Sequence, residues 1–233
     1  QPREYWDLAP FFQRRHGLDD TAAAAEVVTR LRSAVNRQMI SEVPLGAFLS
    51  GGVDSSAIVS QMAELSPHAV KTCSIAFNDP RFDESRFAQM VADRYATDHS
   101  TDRVEPDDFE LIDQLGGLYD EPFADSSSLP TYRVCQLARN RVTVALSGDA
   151  GDENFGGYRR YKWHTYEERV RGYLPYSVRA PLFGLAGSLY PKLDWAPRFL
   201  RAKSTFQSLA RSSLEGYFHS VSILAAELRG KLY

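Results

Sequence analysis

Hydrophobic residues recur along this chain in two rhythms. Between Thr21 and Ile40, the residues Val27, Val28, Leu31, Val35 and Met39 return at helical spacing with arginines between them. That spacing predicts an amphipathic helix, with Asp19, Asp20 and Thr21 as N-cap candidates. The stretch "VPLGAFLS", residues 43–50, is short, apolar and stopped by glycines, which predicts a buried strand. Helical spacing returns in "SSAIVSQMAEL" and ends before Pro67. A second strand follows in "VKTCSIAF", residues 70–77, and then a helix in "ESRFAQMVADRYA" capped by Asp83. A third strand is expected from His99 to Val104. In "PDDFELIDQLGGLY", Pro106 takes a first-turn position and glycines close the helix. "DEPFADSSSLP" reads as a loop, "TYRVCQLARN" as a helix and the β-branched "RVTVALSG" as a strand.

Strand and helix thus alternate for about 100 residues, the pattern of a parallel sheet covered by helices on both faces. The predicted fold class is α/β. After Tyr158 the texture changes to helical patterns rich in aromatics, with no clear strand. Neither an internal repeat nor a low-complexity segment stands out.

Composition narrows the function classes. The 233 residues carry 27 basic and 30 acidic side chains, for a net charge of −3. That balance argues against nucleic acid or a membrane surface as partner. No apolar run approaches the roughly 20 residues that span a bilayer. The opening "QPREYWDLAP" is neither a signal peptide nor a transit helix. Cys73 and Cys135 both sit in apolar contexts, so two buried free thiols in a cytosolic protein are expected. The five histidines are scattered without metal-ligand spacing and read as surface or packing residues.

Chemistry concentrates in two stretches. "LSGGVDSS" stands where a strand hands over to a helix, the end of a parallel sheet at which ligands bind. Glycines there permit a tight turn and a close backbone approach. The helix N-terminus adds partial positive charge, so the turn suits an anion, phosphate above all. Ser50, Ser55 and Ser56 add hydroxyls. The lysine of a Walker A loop is missing, since Gly51 is followed by Gly52. Asp54 would repel bare phosphate but suits Mg²⁺ bridging phosphate oxygens. A plainer reading makes it a helix cap. "ALSGDAGDENFGGY", residues 145–158, repeats the logic with Ser147, Gly148 and the carboxylates Asp149, Asp152 and Glu153. Asp54 and Asp152 could share magnesium, leaving Asp149 for proton or electrostatic work. Either loop alone reads best as a solvated turn; the pair does not.

These residues resemble a known family. "SGGVDSS" is similar to the pyrophosphate loop (PP-loop) of N-type ATP pyrophosphatases. "VPLGAFLSGGVDSS" together with "SGDAGDENFGGY", and with "SIAF" and "DEPFADSSSLPTY" between them, resembles the synthetase domain of glutamine-hydrolysing asparagine synthetases. The resemblance spans residues 21–165 well and the remainder more loosely. It implies an adenine nucleotide alpha hydrolase-like fold and a Mg·ATP-dependent carbon–nitrogen ligase. In that chemistry a carboxylate, aspartate by default, is adenylated with release of pyrophosphate, and ammonia attacks the acyl-adenylate to give an amide. Carried over by motif, Ser50, Gly51, Gly52, Asp54, Ser55 and Ser56 would hold pyrophosphate and its magnesium. Phe48, Leu49 and Phe77 would line the AMP moiety, and Ser147 and Gly148 would contact adenosine. Asp152 matches the second metal carboxylate. Asp149 stands where asparagine synthetases often carry glutamate, which leaves the acceptor carboxylate open. Residues 121–128 would help form the acceptor pocket.

The same resemblance implies a linker over residues 1–20 from an N-terminal glutaminase domain that would supply ammonia and is absent here. A synthetase domain over 21–165 and an incomplete helical continuation over 166–233 would follow. Lys162, Lys192, Lys203 and Lys231 do not sit in the family's late lysine motif, so little or no turnover is expected of this stretch alone. A homodimer is allowed but not specified. Two other readings stay open: another N-type ATP pyrophosphatase ligase, and a non-catalytic nucleotide-binding domain. A serine nucleophile at Ser50 or Ser147 is weaker, because no histidine lies in a motif to serve as its base. In "YRRYK", Arg159 or Arg160 could reach phosphate or carboxylate, though a solvated helix face is the simpler account.

Overall fold

The structure is a computed structural model. It describes residues 3–5, 7, 9–13, 17–104, 110–119, 125, 127–193, 195–197, 200–222, 224 and 226–232. It divides into two compact units, Gln1–Asp149 and Ala150–Tyr233.

The first unit opens with α1 (Ala9–Gln13) and α2 (Asp20–Gln38). Asp19 caps α2, its side chain accepting a hydrogen bond from the amide of Ala22. Strands and helices then alternate as the hydrophobic pattern requires: β1 (Leu45–Phe48), α3 (Val53–Leu65), β2 (Lys71–Phe77), α4 (Ser85–Tyr95) and β3 (Asp98–Val104). Next come α5 (Glu110–Gly116), α6 (Ser128–Arg139) and β4 (Val144–Leu146). Pro106 and residues 120–124 and 126 lie outside the described residues.

All strand pairs are parallel, in the order β3-β2-β1-β4. One face of the sheet packs Ala47 and Leu49 against Val35 of α2, Val59 and Met62 of α3, and Ala88 and Ala92 of α4. The other packs Phe48 and Cys73 against Val134, Leu137 and Ala138 of α6. This is the predicted α/β architecture: a parallel sheet between helical layers.

Two local expectations need correction. The loop expected to run to Pro130 ends earlier, because α6 starts at Ser128. Pro130 then falls in its first turn, where the missing N–H is not needed and the fixed φ suits the helix. Cys135 is exposed on α6 rather than buried, and only Cys73 is enclosed. Both thiols are free, as expected.

The second unit holds α7 (Gly151–Phe155), α8 (Arg159–Tyr173), α9 (Tyr176–Leu189), α10 (Lys203–Leu209), α11 (Ser213–Val221) and α12 (Ala226–Leu232). Its described residues contain no strand. Phe206 of α10 stacks on Phe183 of α9 and meets the edge of Tyr190. A buried polar group ties α8 to α10: Ser208 Oγ donates to Glu167 at 2.6 Å, and Arg171 Nη2 donates to the carbonyl of Ser208 at 2.8 Å. No helix among the described residues is long and apolar enough to cross a membrane.

Candidate nucleotide-binding site

Strand order fixes where a ligand can enter. From β1 the chain moves outward through β2 to β3, then returns to place β4 on the other side of β1. The carboxyl ends of β1 and β4 therefore flank a topological switch point, where open α/β sheets leave a crevice. Register puts Leu146, the last residue of β4, opposite Ala47. The two loops that follow these strands, from Ser50 and from Ser147, thus leave the sheet side by side.

Their contact is intimate. A Cβ on Gly148 would stand 2.6 Å from the Ser55 nitrogen and 2.8 Å from the Asp54 carbonyl carbon. The bare backbone of the second loop lies on the first turn of α3, and only glycine leaves that room. Gly51 meets a similar restriction. Its φ is +80°, and a Cβ there would come within 2.5 Å of the backbone of Phe87 and Ala88 on α4. Gly51 and Gly148 are thus set by sterics between elements, whereas a Cβ on Gly52 would meet only the Ser50 hydroxyl, at 3.3 Å.

Gly52, not Asp54, is the N-cap residue of α3, and it offers no side chain to the first-turn amides. Such an uncapped N-terminus presents N–H groups and partial positive charge to an anion. The serines divide their work. Ser55 is buried, with 8% of its surface exposed, and its hydroxyl lies 2.9 Å from that of Ser50. Ser55 also donates to the Gly52 carbonyl, and the Ser50 hydroxyl accepts from the Gly52 amide, both at 3.3 Å. These bonds hold the loop's shape. Ser56 keeps its hydroxyl without a protein partner among the described residues.

Asp54 stands in the first turn of α3, partly exposed. Among the described residues its carboxylate has no hydrogen-bond or ion-pair partner. A carboxylate left free beside phosphate-suited amides fits a hard cation such as Mg²⁺, which takes oxygen ligands. The described residues contain no preassembled cluster of three or more His, Cys, Asp or Glu around a metal position. Magnesium held through one or two carboxylates plus phosphate oxygens needs no such cluster.

In the second loop, Ser147 Oγ donates to Asp149 Oδ2 at 2.7 Å, and the Asp149 amide donates back to Ser147 Oγ at 3.0 Å. Asp149 is thereby oriented by Ser147. Asp152 lies on α7, in the second unit. Gly157 leaves space for its carboxylate, since a Cβ there would land on it. Glu153 accepts from the Tyr158 hydroxyl at 2.7 Å, and that bond holds its carboxyl below the usual range. The Arg160 guanidinium lies over the Tyr158 ring, 3.8 Å from its centroid, so it is engaged by an aromatic face.

Beside the first loop is a cavity of about 220 Å³. Its origin is register: Phe48 of β1 pairs with Cys73, so β2 continues past the end of β1 from Ser74 to Phe77. That overhanging edge has no β1 residue opposite it. Phe48, Leu49, Ser50 and Phe77, all predicted from sequence, line the space. The Leu49 side chain points into the core at 1% exposure, so Leu49 can meet a ligand only through its backbone. Sequence reasoning missed Phe82, Glu84, Ser85, Pro130 and Thr131, which are among the other lining residues. The available signal was Phe82 itself, an aromatic between charged residues in "DPRFDES", outside any apolar period.

Residues 26–230 match the family model described as asparagine synthase. The chain belongs to the asparagine synthase family. Among curated asparagine synthetases, it is 44% identical over 156 residues to "Putative asparagine synthetase [glutamine-hydrolyzing] 2" of Methanocaldococcus jannaschii, covering 66% of this chain and 30% of that protein. It is 31% identical over 213 residues to "Putative asparagine synthetase [glutamine-hydrolyzing]" of Mycobacterium bovis, covering 91% of this chain and 31% of that one. The chain thus spans about a third of the length of the family members it matches. Among solved structures, the NH3-dependent NAD synthetase of Campylobacter jejuni aligns with a TM-score of 0.40 at 8% identity, covering 86% of this chain and 98% of that chain. That likeness is too slight to bear on function.

Proposed function

We propose that this chain is the ATP-binding synthetase portion of an asparagine synthetase-like amidotransferase. Its two glycine loops would hold the phosphates and ribose side of ATP while a small carboxylate, aspartate by default, is adenylated. Pyrophosphate would leave, and ammonia would attack the acyl-adenylate to form the amide. The observation that carries this reading is the seating of Gly148 on the first turn of α3, which joins both motifs into one anion-suited crevice at the switch point.

Each residue then has a physical task. The amides of Gly51, Val53 and Asp54 and the Ser56 hydroxyl would face the departing pyrophosphate. Ser50 and Ser55 keep the loop in shape. Phe48, Phe77 and the free edge of β2 would bound the adenosine cavity, and Ser147 and Gly148 would contact adenosine from the second loop. Asp149, oriented by Ser147, would accept a proton from attacking ammonia. Asp54 would hold Mg²⁺, which when bound supplies charge neutralisation at the phosphates, and Asp152 is the second metal carboxylate that the family motif implies. Residues 1–20 would serve as the linker from a glutaminase domain that delivers ammonia, 21–165 as the synthetase domain and 166–233 as its helical continuation.

Calorimetric titration with ATP tests the reading. ATP should bind in the presence of Mg²⁺, and Asp54→Asn should abolish the magnesium dependence. Binding that is equal with and without Mg²⁺, and unchanged in the variant, would contradict the metal assignment.

A further inference from the structure

The turn between β2 and α4 carries an apolar group that the fold does not use. Phe82 lines the cavity beside Phe48 and Phe77, yet 65% of its surface is exposed. Large aromatics usually bury most of their 150–250 Å². Here the exposed ring is firmly held. The Phe82 and Asp83 amides donate to the Asp79 carbonyl at 3.0 and 3.1 Å, closing a tight turn. Arg81 forms paired bonds with the Asp79 carboxylate, and its guanidinium lies 5.6 Å from the centroid of the Phe82 ring. Asp83 then staples the turn to both neighbouring elements, accepting from the Phe77 amide at 3.4 Å and from the Ser85 amide at 3.1 Å.

An ordered turn that keeps an apolar ring in water at the mouth of an apolar cavity is a site awaiting a flat, apolar-faced partner. We propose that Phe82 is a nucleobase-stacking residue of this cavity, and that Asp83 is the positioning residue that aims it. The proposal rests on the nucleotide reading above and deepens it. A purine covers more of the ring than a pyrimidine, so Phe82 favours a purine nucleotide over a pyrimidine one. The pyrophosphate end of the ligand, at the Ser50–Ser56 loop, gains nothing from it.

The test is a titration of the full chain and its Phe82→Ala and Phe82→Trp variants with Mg·ATP, Mg·CTP and Mg·pyrophosphate. Phe82→Ala should weaken ATP about tenfold, the lower range of base–aromatic stacking. Pyrophosphate affinity should not change, and the ratio of ATP to CTP affinity should shrink. Phe82→Trp should retain ATP binding, and its indole fluorescence should change on ATP addition but not on pyrophosphate addition. Asp83→Ala should reproduce the ATP-selective loss, whereas Asp83→Asn, which keeps an accepting oxygen, should restore most of it. Equal ATP affinity in wild type and Phe82→Ala would overturn the proposal and leave the nucleotide reading standing. A loss shared equally by ATP and pyrophosphate would also overturn it, since that marks a damaged fold. Wild-type protein that binds neither ligand would overturn both readings together.

Discussion

Substituting Gly148 by alanine tests whether the two motifs share one site. The perturbation is a single methyl group placed against backbone. Its carbon would sit 2.6 Å from the Ser55 nitrogen, 2.8 Å from the Asp54 carbonyl carbon and 3.0 Å from the Asp54 Cβ. Ordinary contact between such atoms begins near 3.5 Å, so the loop and the helix must separate by about 0.7–0.9 Å. No flexible side chain can yield there, because two of the three atoms are main chain. Gly148 is not in the left-handed region, so the penalty is overpacking alone, about 1–3 kcal/mol. For a unit of this size that corresponds to a fall in Tm of about 2–12 °C. Differential scanning calorimetry gives the stability, and titration with Mg·ATP gives the function. Binding should fall even at temperatures where the variant is fully folded, because the shift moves the amides of the α3 first turn. A variant that melts within 1 °C of wild type and binds ATP equally would refute the inferred contact and the shared crevice with it.

Other consequences are as open to measurement. Gly51→Ala combines a positive φ with a main-chain clash against α4 and should cost about 2–4 kcal/mol in urea denaturation; a cost below about 1 kcal/mol would contradict the geometry. Ala96 ends α4 in the left-handed conformation, at φ +48°, on an exposed surface, so Ala96→Gly should stabilise by about 1 kcal/mol, and destabilisation would show that the cap is wrong. Burial, and then the Arg141 charge, push the His99 imidazole below its ordinary range. The native state therefore binds this proton less readily than the unfolded chain, and the contribution is intact above about pH 6.5 and fades as pH falls below it. Chemical denaturation at several pH values should show a slope in that window that flattens in His99→Gln; an unchanged slope would exclude His99 as its source. Glu167→Ala should destabilise the second unit by about 1–3 kcal/mol, because it removes the acceptor of the buried Ser208 hydroxyl while Glu168 stays paired with Arg171 at 2.6 Å, and a change below about 0.5 kcal/mol would mean that water replaces the carboxylate.

The sheet was legible because β1, β2 and β4 are short apolar runs closed by glycine or charge, and because helical spacing between them left little freedom. Element ends were less legible. Pro130 reads as a loop residue locally, and only the first-turn tolerance of proline reconciles it with α6. Cys135 lies in an apolar stretch, but the face it occupies on α6 is set by which residues meet the sheet, a tertiary fact. The glycine loops could be placed at strand ends from sequence. That Ser55 turns inward to Ser50 while Ser56 stays free could not, because serine chemistry is the same in either role. The cavity wall was least legible. It depends on β2 outrunning β1, and Phe82 joins it from a turn with no periodicity to announce it.

The most direct test of one nucleotide site built from two loops is amide chemical-shift mapping of the chain with Mg·ATP. The account predicts that the amides of Gly51 to Ser56, Ser147 to Asp149 and Phe77 to Ser85 shift together, with one common dissociation constant. Shifts confined to one loop, or loops that titrate with different constants, would contradict it.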